Sequence, residues 1–228
     1  MTHVFSQPAR PAALSRRAFI VLGAFSLAGC VTQPSRDDSL QPSSMALNPE
    51  YLEMYGAKQD GDILIPAIDL TEIDPRFLRQ NVDYTGPHLP GTIVVDPHER
   101  FLYLVQPGGR AMRYGIGVGK AGLEFQGAAN IQRAAKWPRW TPTSSMIARE
   151  PERYGPYSAG LPGGLTNPLG ARALYLYRNG QDTLYRLHGT NEPMTIGHAV
   201  SSGCIRLFNQ DIIDLYNRTA IGSRVVVL

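Results

Sequence analysis

Between Gly91 and Gly119 three runs, "GTIVVD", "FLYLVQ" and "AMRYGIGVG", are rich in β-branched and aromatic residues and are separated by "PHER" and "PGGR". Such residues lose side-chain freedom in a helix and pack well on a pleated surface, and Asp-Pro and Pro-Gly-Gly turn the chain between them. The arrangement predicts consecutive antiparallel hairpins. A second pair, "ARALYLYRNG" and "TLYRLHG", flanks Asn179 and Gly180, and both of these residue types tolerate positive φ in a two-residue hairpin turn. With 23 glycines and 18 prolines in 228 residues, short strands and many turns are expected throughout. One segment reads as a helix. In "NQDIIDLYNRTAIG", Asn209 can cap, Asp211 sits at the positive dipole end, Ile212, Leu215 and Tyr216 share a face, and Gly222 stops the run before a last strand, "SRVVVL".

The first 30 residues read as an address. Arg16 and Arg17 precede an apolar run from Ala18 to Ala28, which is shorter than the roughly 20 residues a bilayer span requires. The paired arginines resemble a twin-arginine signal, with a general secretory signal as the rival, and "LAGC" resembles the lipobox of bacterial lipoproteins, with Cys30 as the acylated residue. Residues 31–90 read as a flexible tether and N-terminal extension. The opening of this stretch is rich in Ser, Pro, Gln and Asp, "GDILIPAIDL" is a possible strand, and "DPRFLRQ" a helical turn opened by Asp74 and Pro75. This extension is expected to lie on the surface of a domain spanning 91–228. The 22 basic and 19 acidic residues leave a net charge of +3, several arginines fall within the first 40 positions, and no nucleic-acid face is implied.

If Cys30 carries lipid, Cys204 has no disulfide partner in an exported chain of two cysteines and stands as a candidate reactive thiol. It follows Ser201, Ser202 and Gly203, outside any apolar run. His188 closes the strand "TLYRLH" upstream. A thiolate is the attacking species, and a neighbouring imidazole both lowers the thiol's pKa and carries protons. The Gly203 and Cys204 amides could serve an oxyanion. A packed cysteine and a half-buried strand-end histidine are the plain alternatives. His198 with His188 and Cys204 offers three zinc-ligand types, but no zinc-site spacing accompanies them, so no metal and no cofactor is expected. Trp137, Trp140, Tyr154 and Tyr157 either line a groove or pack.

"HGTNEPMTIGHAVSSGCIRLFNQDIIDLY" resembles the signature of L,D-transpeptidases of the YkuD (ErfK/YbiS/YcfS/YnhG) type, and "WPRWTPTSSMI" and "GGLTNPLGARALYLY" resemble further family segments in the same order. The resemblance implies a mostly β catalytic domain, sandwich-like or barrel-like, with short helices. It implies Cys204 as nucleophile, His188 as general base, Gly189 as the residue whose carbonyl orients the imidazole, and Arg206, Ser201 and Gly203 at the substrate, with a structural salt bridge as the equal alternative for Arg206. The implied substrate is a peptidoglycan tetrapeptide stem and the acceptor an amine of another stem or of an outer-membrane protein. The export signal and the lipobox-like Cys30 give an expected periplasmic location on a lipid anchor, with Val31 rather than Asp after Cys30 favouring the outer membrane. A carboxypeptidase or hydrolase on the same site, and a non-catalytic wall-binding lipoprotein, are the alternatives. Two features depart from the family pattern: Ser202 replaces a histidine or arginine, and "GKAGLEFQGAANI" stands where a Thr-Pro-x-Gly loop is expected.

Overall fold

The computed structural model describes residues 48–119, 124–200 and 204–228. Cys30 and the whole expected signal, together with Ser201, Ser202 and Gly203, lie outside the described residues. The described residues open with α1 (Pro49–Met54), capped by the Asn48 side chain, and a hairpin of β1 (Lys58–Asp60) and β2 (Ile63–Ile65). A 3-10 turn at Pro75–Phe77 follows, where Asp74 Oδ1 accepts the Arg76 amide at 3.0 Å. Then come β3 (Gln80–Asp83), β4 (Ile93–Asp96), β5 (Phe101–Gln106), β6 (Arg110–Gly115), β7 (Gly117–Gly119) and β8 (Gly127–Lys136). Two short helices, α2 (Ser144–Arg149) and α3 (Pro151–Tyr154), precede β9 (Arg172–Arg178) and β10 (Gln181–His188). The chain finishes with β11 (Ala199–Val200), β12 (Ile205–Arg206), α4 (Asn209–Arg218) and β13 (Arg224–Val227).

Among the described residues, eleven strands form one sheet in the order β11, β7, β12, β10, β9, β8, β13, β4, β5, β6, β3. Laid flat, it would span nearly 50 Å at about 4.8 Å per strand. Instead a single hydrophobic cluster takes Ile93 and Leu102 from one end, Val118 and Ile205 from the other, Leu174 and Leu187 from the middle, and Ile212 and Leu215 from α4. One core can hold side chains from both ends only if the sheet curls round it, which is the expected mostly β, sandwich-like or barrel-like architecture. The predicted hairpins are present. β4 and β5 pair antiparallel, as do β5 and β6, and Asn179 and Gly180 take φ of 52° and 77° between β9 and β10, the positive values a type I′ turn needs.

The expectation of a surface extension before residue 91 is corrected. From Tyr51 to Leu78 this stretch buries Tyr51, Tyr55, Leu70, Ile73, Phe77 and Leu78 against Phe101, Ile196 and Phe208, and β3 pairs with β6 as the edge of the main sheet. Its polar contacts explain why. Gln210 and Asp211, polar residues of α4, are buried. Gln210 Nε2 donates to the Tyr55, Gly56 and Pro66 carbonyls at 3.1–3.4 Å, and the Tyr55 hydroxyl donates to Asp211 at 3.0 Å. The extension therefore satisfies groups that would otherwise face water, and α4 is covered on more than its apolar face.

Asn209 does not cap α4. Phe208 occupies the cap position, and the Asn209 amide bridges two loops instead, accepting from the Ala171 N–H and donating to the Thr190 carbonyl, both at 2.9 Å.

Candidate active site

Two rows of side chains cross the same face of the sheet. Register pairs Ala135 with Ala173, Ala173 with His188, and His188 with Arg206. Two residues away, Arg133 pairs with Tyr175 and Tyr175 with Arg186, while Cys204 immediately precedes the Leu187 to Ile205 pairing of β10 with β12. Because side chains alternate along a strand, Arg133, Tyr175, Arg186, His188, Cys204 and Arg206 face one way, and Leu174, Leu187 and Ile205 face the core. All six line one cavity of about 560 Å³, together with Trp140, Tyr154 and Tyr157. Trp137 is elsewhere: it packs against Ile65, Ala171 and Ile213, and its indole N–H donates to Asp60 at 2.8 Å.

His188 is only 4% exposed, and its Nδ1 lies 2.6 Å from the Gly189 carbonyl. Nδ1 is the donor in that pair, so Nε2 keeps its lone pair. Burial lowers the imidazole pKa to about 4, against the opposing pull of the Gly189 and Pro168 carbonyls. Asn167 sets the Pro168 loop. Fully buried, it donates from Nδ2 to the Pro138, Leu161 and Pro162 carbonyls and accepts the Leu169 amide at 2.8 Å.

Cys204 Sγ donates to the Leu184 carbonyl at 3.6 Å. That carbonyl belongs to an irregularity between Asp182 and Arg186 in β10, where Leu184 takes φ 62°, rare for a branched residue, and leaves its side chain 65% exposed. The kink is braced by Asp182 Oδ1, which accepts the Leu184 amide at 2.8 Å, and by Thr183 Oγ1, which donates to the Leu176 carbonyl at 2.6 Å. Burial pushes the Cys204 thiol up, although the Arg186 amide and the charges of Arg186 and Arg206 pull the other way. The expected lowering of the thiol pKa is not what the surroundings produce, because desolvation penalises both the thiolate and the imidazolium. Both shifts favour the neutral forms, thiol and imidazole.

Arg206 Nη1 donates to Glu192 Oε2 at 2.7 Å, with Thr195 Oγ1 at 3.5 Å. An internal ion pair thus occupies at least one edge of the guanidinium that was expected at a substrate carboxylate. Gly189 and Gly170 crowd Asn209: a Cβ on either would stand 2.3 Å from its Oδ1. Asn167, the Leu184 kink and Arg133 were not singled out from the sequence, and Asn209 was expected only as a helix cap. Of these, only Asn167 carried a signal, within the Asn-Pro-Leu-Gly segment. Among the described residues, no three His, Cys, Asp or Glu side chains are grouped to hold a metal ion, and no helix is long and apolar enough to cross a membrane.

A β-sheet carrying a buried histidine and a cysteine on one cavity wall has the makings of a thiol acyl-transfer enzyme. Residues 90–227 match the YkuD family, described as the L,D-transpeptidase catalytic domain. A relative from Fuscovulum blasticum, "Putative L,D-transpeptidase in ATP synthase subunits region ORF 5", is 30% identical over 220 residues, covering 94% of this chain and 98% of its own length. "Probable L,D-transpeptidase ErfK/SrfK" of Escherichia coli K12 is 37% identical over 139 residues, covering 60% of this chain but 43% of that protein. A crystal structure from Brucella melitensis, described as a probable carnitine operon oxidoreductase caia, is 54% identical, covers 68% of this chain and 96% of that one, and superposes with a TM-score of 0.49. That description is of the Brucella protein. The chain belongs to the YkuD family of L,D-transpeptidases, and it spans less than half the length of the Escherichia coli relative.

Proposed function

We propose that the chain is an exported L,D-transpeptidase acting on tetrapeptide stems of peptidoglycan, with Cys204 as nucleophile and His188 as general base. The observation that carries this reading is the placement of both groups on one cavity wall, with the His188 Nδ1 engaged by the Gly189 carbonyl so that Nε2 is left to accept a proton. The Cys204 S–H proton passes to Nε2 as sulfur bonds to the carbonyl carbon of the third stem residue, a diaminopimelate. The C–N bond to D-alanine then breaks, the imidazolium returns its proton to the departing amine, and a thioester remains. An acceptor amine attacks the thioester, its proton passes through His188 to sulfur, and the thiol is restored.

A stem amine as acceptor gives a 3-3 cross-link, a protein amine gives a covalent anchor, and water gives a shortened stem. The Gly203 and Cys204 amides are proposed to face the oxyanion, with Ser201 beside the substrate. Cys30 is proposed as a lipid anchor holding the domain at the periplasmic face of the outer membrane. The proposal is tested on isolated sacculi. New cross-linked dimers that need Cys204 support transpeptidation, shortened stems alone support the hydrolytic reading, and retention without any product supports a wall-binding role.

A further inference from the structure

Among the described residues five arginines line the cavity. Three are neutralised by the chain's own carboxylates. Arg186 grips both oxygens of Asp182 at 2.7 and 2.9 Å, Arg153 donates to Glu150 at 3.2 Å, and Arg206 donates to Glu192 at 2.7 Å. Arg139 gives its Nη2 to the Ala159 and Gly160 backbone carbonyls. Arg133 differs from all four. Asp182 feels its charge, but the oxygens of that carboxylate are taken by Arg186, and the Arg133 guanidinium makes neither an ion pair nor a hydrogen bond to any described residue. It is held instead by stacking, its guanidinium 4.3 Å from the centroid of the Tyr175 ring, against which the Arg186 guanidinium also lies at 4.4 Å. Stacking fixes the plane of a guanidinium and leaves its N–H edge open to a carboxylate.

The register gives the distance. Tyr175 is on β9, β10 lies between, and Cys204 leads into β12, so a group parked over Tyr175 is two strand spacings, about 10 Å, from the nucleophile. We propose that Arg133 is a specificity-determining residue that binds a carboxylate of the donor stem remote from the scissile amide. This rests on the acyl-transfer reading for the choice of ligand. The D-alanine carboxylate sits immediately beyond the scissile bond and is too near. The α-carboxylate of the γ-linked D-glutamate and the side-chain carboxylate of diaminopimelate each sit at the end of a multi-atom arm that covers such a gap.

The test measures stem binding by calorimetry in the full-length Cys204→Ser protein, where no turnover intervenes. Three stems are compared: unmodified, amidated at D-glutamate, and amidated at diaminopimelate. Arg133→Gln is expected to weaken the unmodified stem on the order of tenfold, as is one of the two amidations. Combining that amidation with Arg133→Gln should add nothing further, and Arg133→Lys should recover part of the affinity. The stem that shows this non-additivity identifies the carboxylate. Unchanged affinity in Arg133→Gln, equal weakening of all three stems, or transfer of the effect to Arg139→Gln would overturn the assignment. If Arg133 governs binding while the wild-type protein releases no D-alanine from any stem, the inference stands and the acyl-transfer reading fails.

Discussion

Replacing Gly189 by alanine probes how the site is held together. The φ of this glycine is not in the left-handed region, so the substitution acts through space alone. Its new Cβ would stand 2.3 Å from Asn209 Oδ1, 3.0 Å from the Ala171 amide nitrogen and 3.1 Å from an Ile212 methyl. Backbone and core cannot give, so the Asn209 amide must move, and it then loses its bonds to the Ala171 N–H and the Thr190 carbonyl. Two groups stripped of their partners in a poorly hydrated site cost about 1 to 2 kcal/mol each, roughly 2 to 4 kcal/mol together. For a domain of this size that corresponds to a fall in Tm of about 6 to 12 °C. The Gly189 carbonyl that engages His188 Nδ1 shifts as well, so D-alanine release should slow. Scanning calorimetry of Gly189→Ala, Asn209→Ala and the double variant decides the matter. Since both single changes break the same bonds, the double variant should be little worse than Asn209→Ala. A Tm for Gly189→Ala within about 1 °C of wild type, or strict additivity in the double variant, would refute the reasoning.

Further outcomes follow from burial. With His188 at about 4 rather than the ordinary 6.5, the unfolded chain takes up this proton first as pH falls. The His188 contribution to stability is therefore intact above pH 6.5 and lost between there and pH 4, about 3 kcal/mol in all. The acid limb of the acylation rate should have its midpoint near pH 4, and a midpoint near 6.5 in a pH–rate profile would contradict the burial of the imidazole. Trimming the chain to start at residue 91 strips the cover from Phe101, Ile196 and Phe208 and leaves Gln210 and Asp211 without Tyr55, and should give an unstable or aggregating domain by light scattering and calorimetry.

The hairpins were legible because strand residues alternate with unmistakable turns: Asn179 and Gly180 could do little other than reverse the chain. His188 and Cys204 were legible through a long family signature. Spacing alone would not have placed them on one wall, because a parallel pairing of β10 with β12 joins them. The fold of the extension was hidden for a physical reason: Gln210 and Asp211 read as solvent-facing positions of α4, and only their partners on the extension show them to be buried. Leu184 could not be anticipated, since nothing marks a leucine for positive φ. Arg133 lies in a different strand from the motif, and its place beside the site follows from sheet order, which single-strand patterns do not encode. The upward shift of the Cys204 thiol depends on desolvation, a property of the assembled cavity.

The central claim, that Cys204 carries the acyl group, is tested most directly by intact-protein and peptide mass spectrometry after brief mixing with a tetrapeptide stem. The account predicts a thioester adduct of the stem minus D-alanine on Cys204, matched by released D-alanine, with both abolished in Cys204→Ser because a hydroxyl is a far weaker nucleophile in a site built for sulfur. An adduct on Ser201 or Ser202, or full D-alanine release from Cys204→Ser, would contradict it.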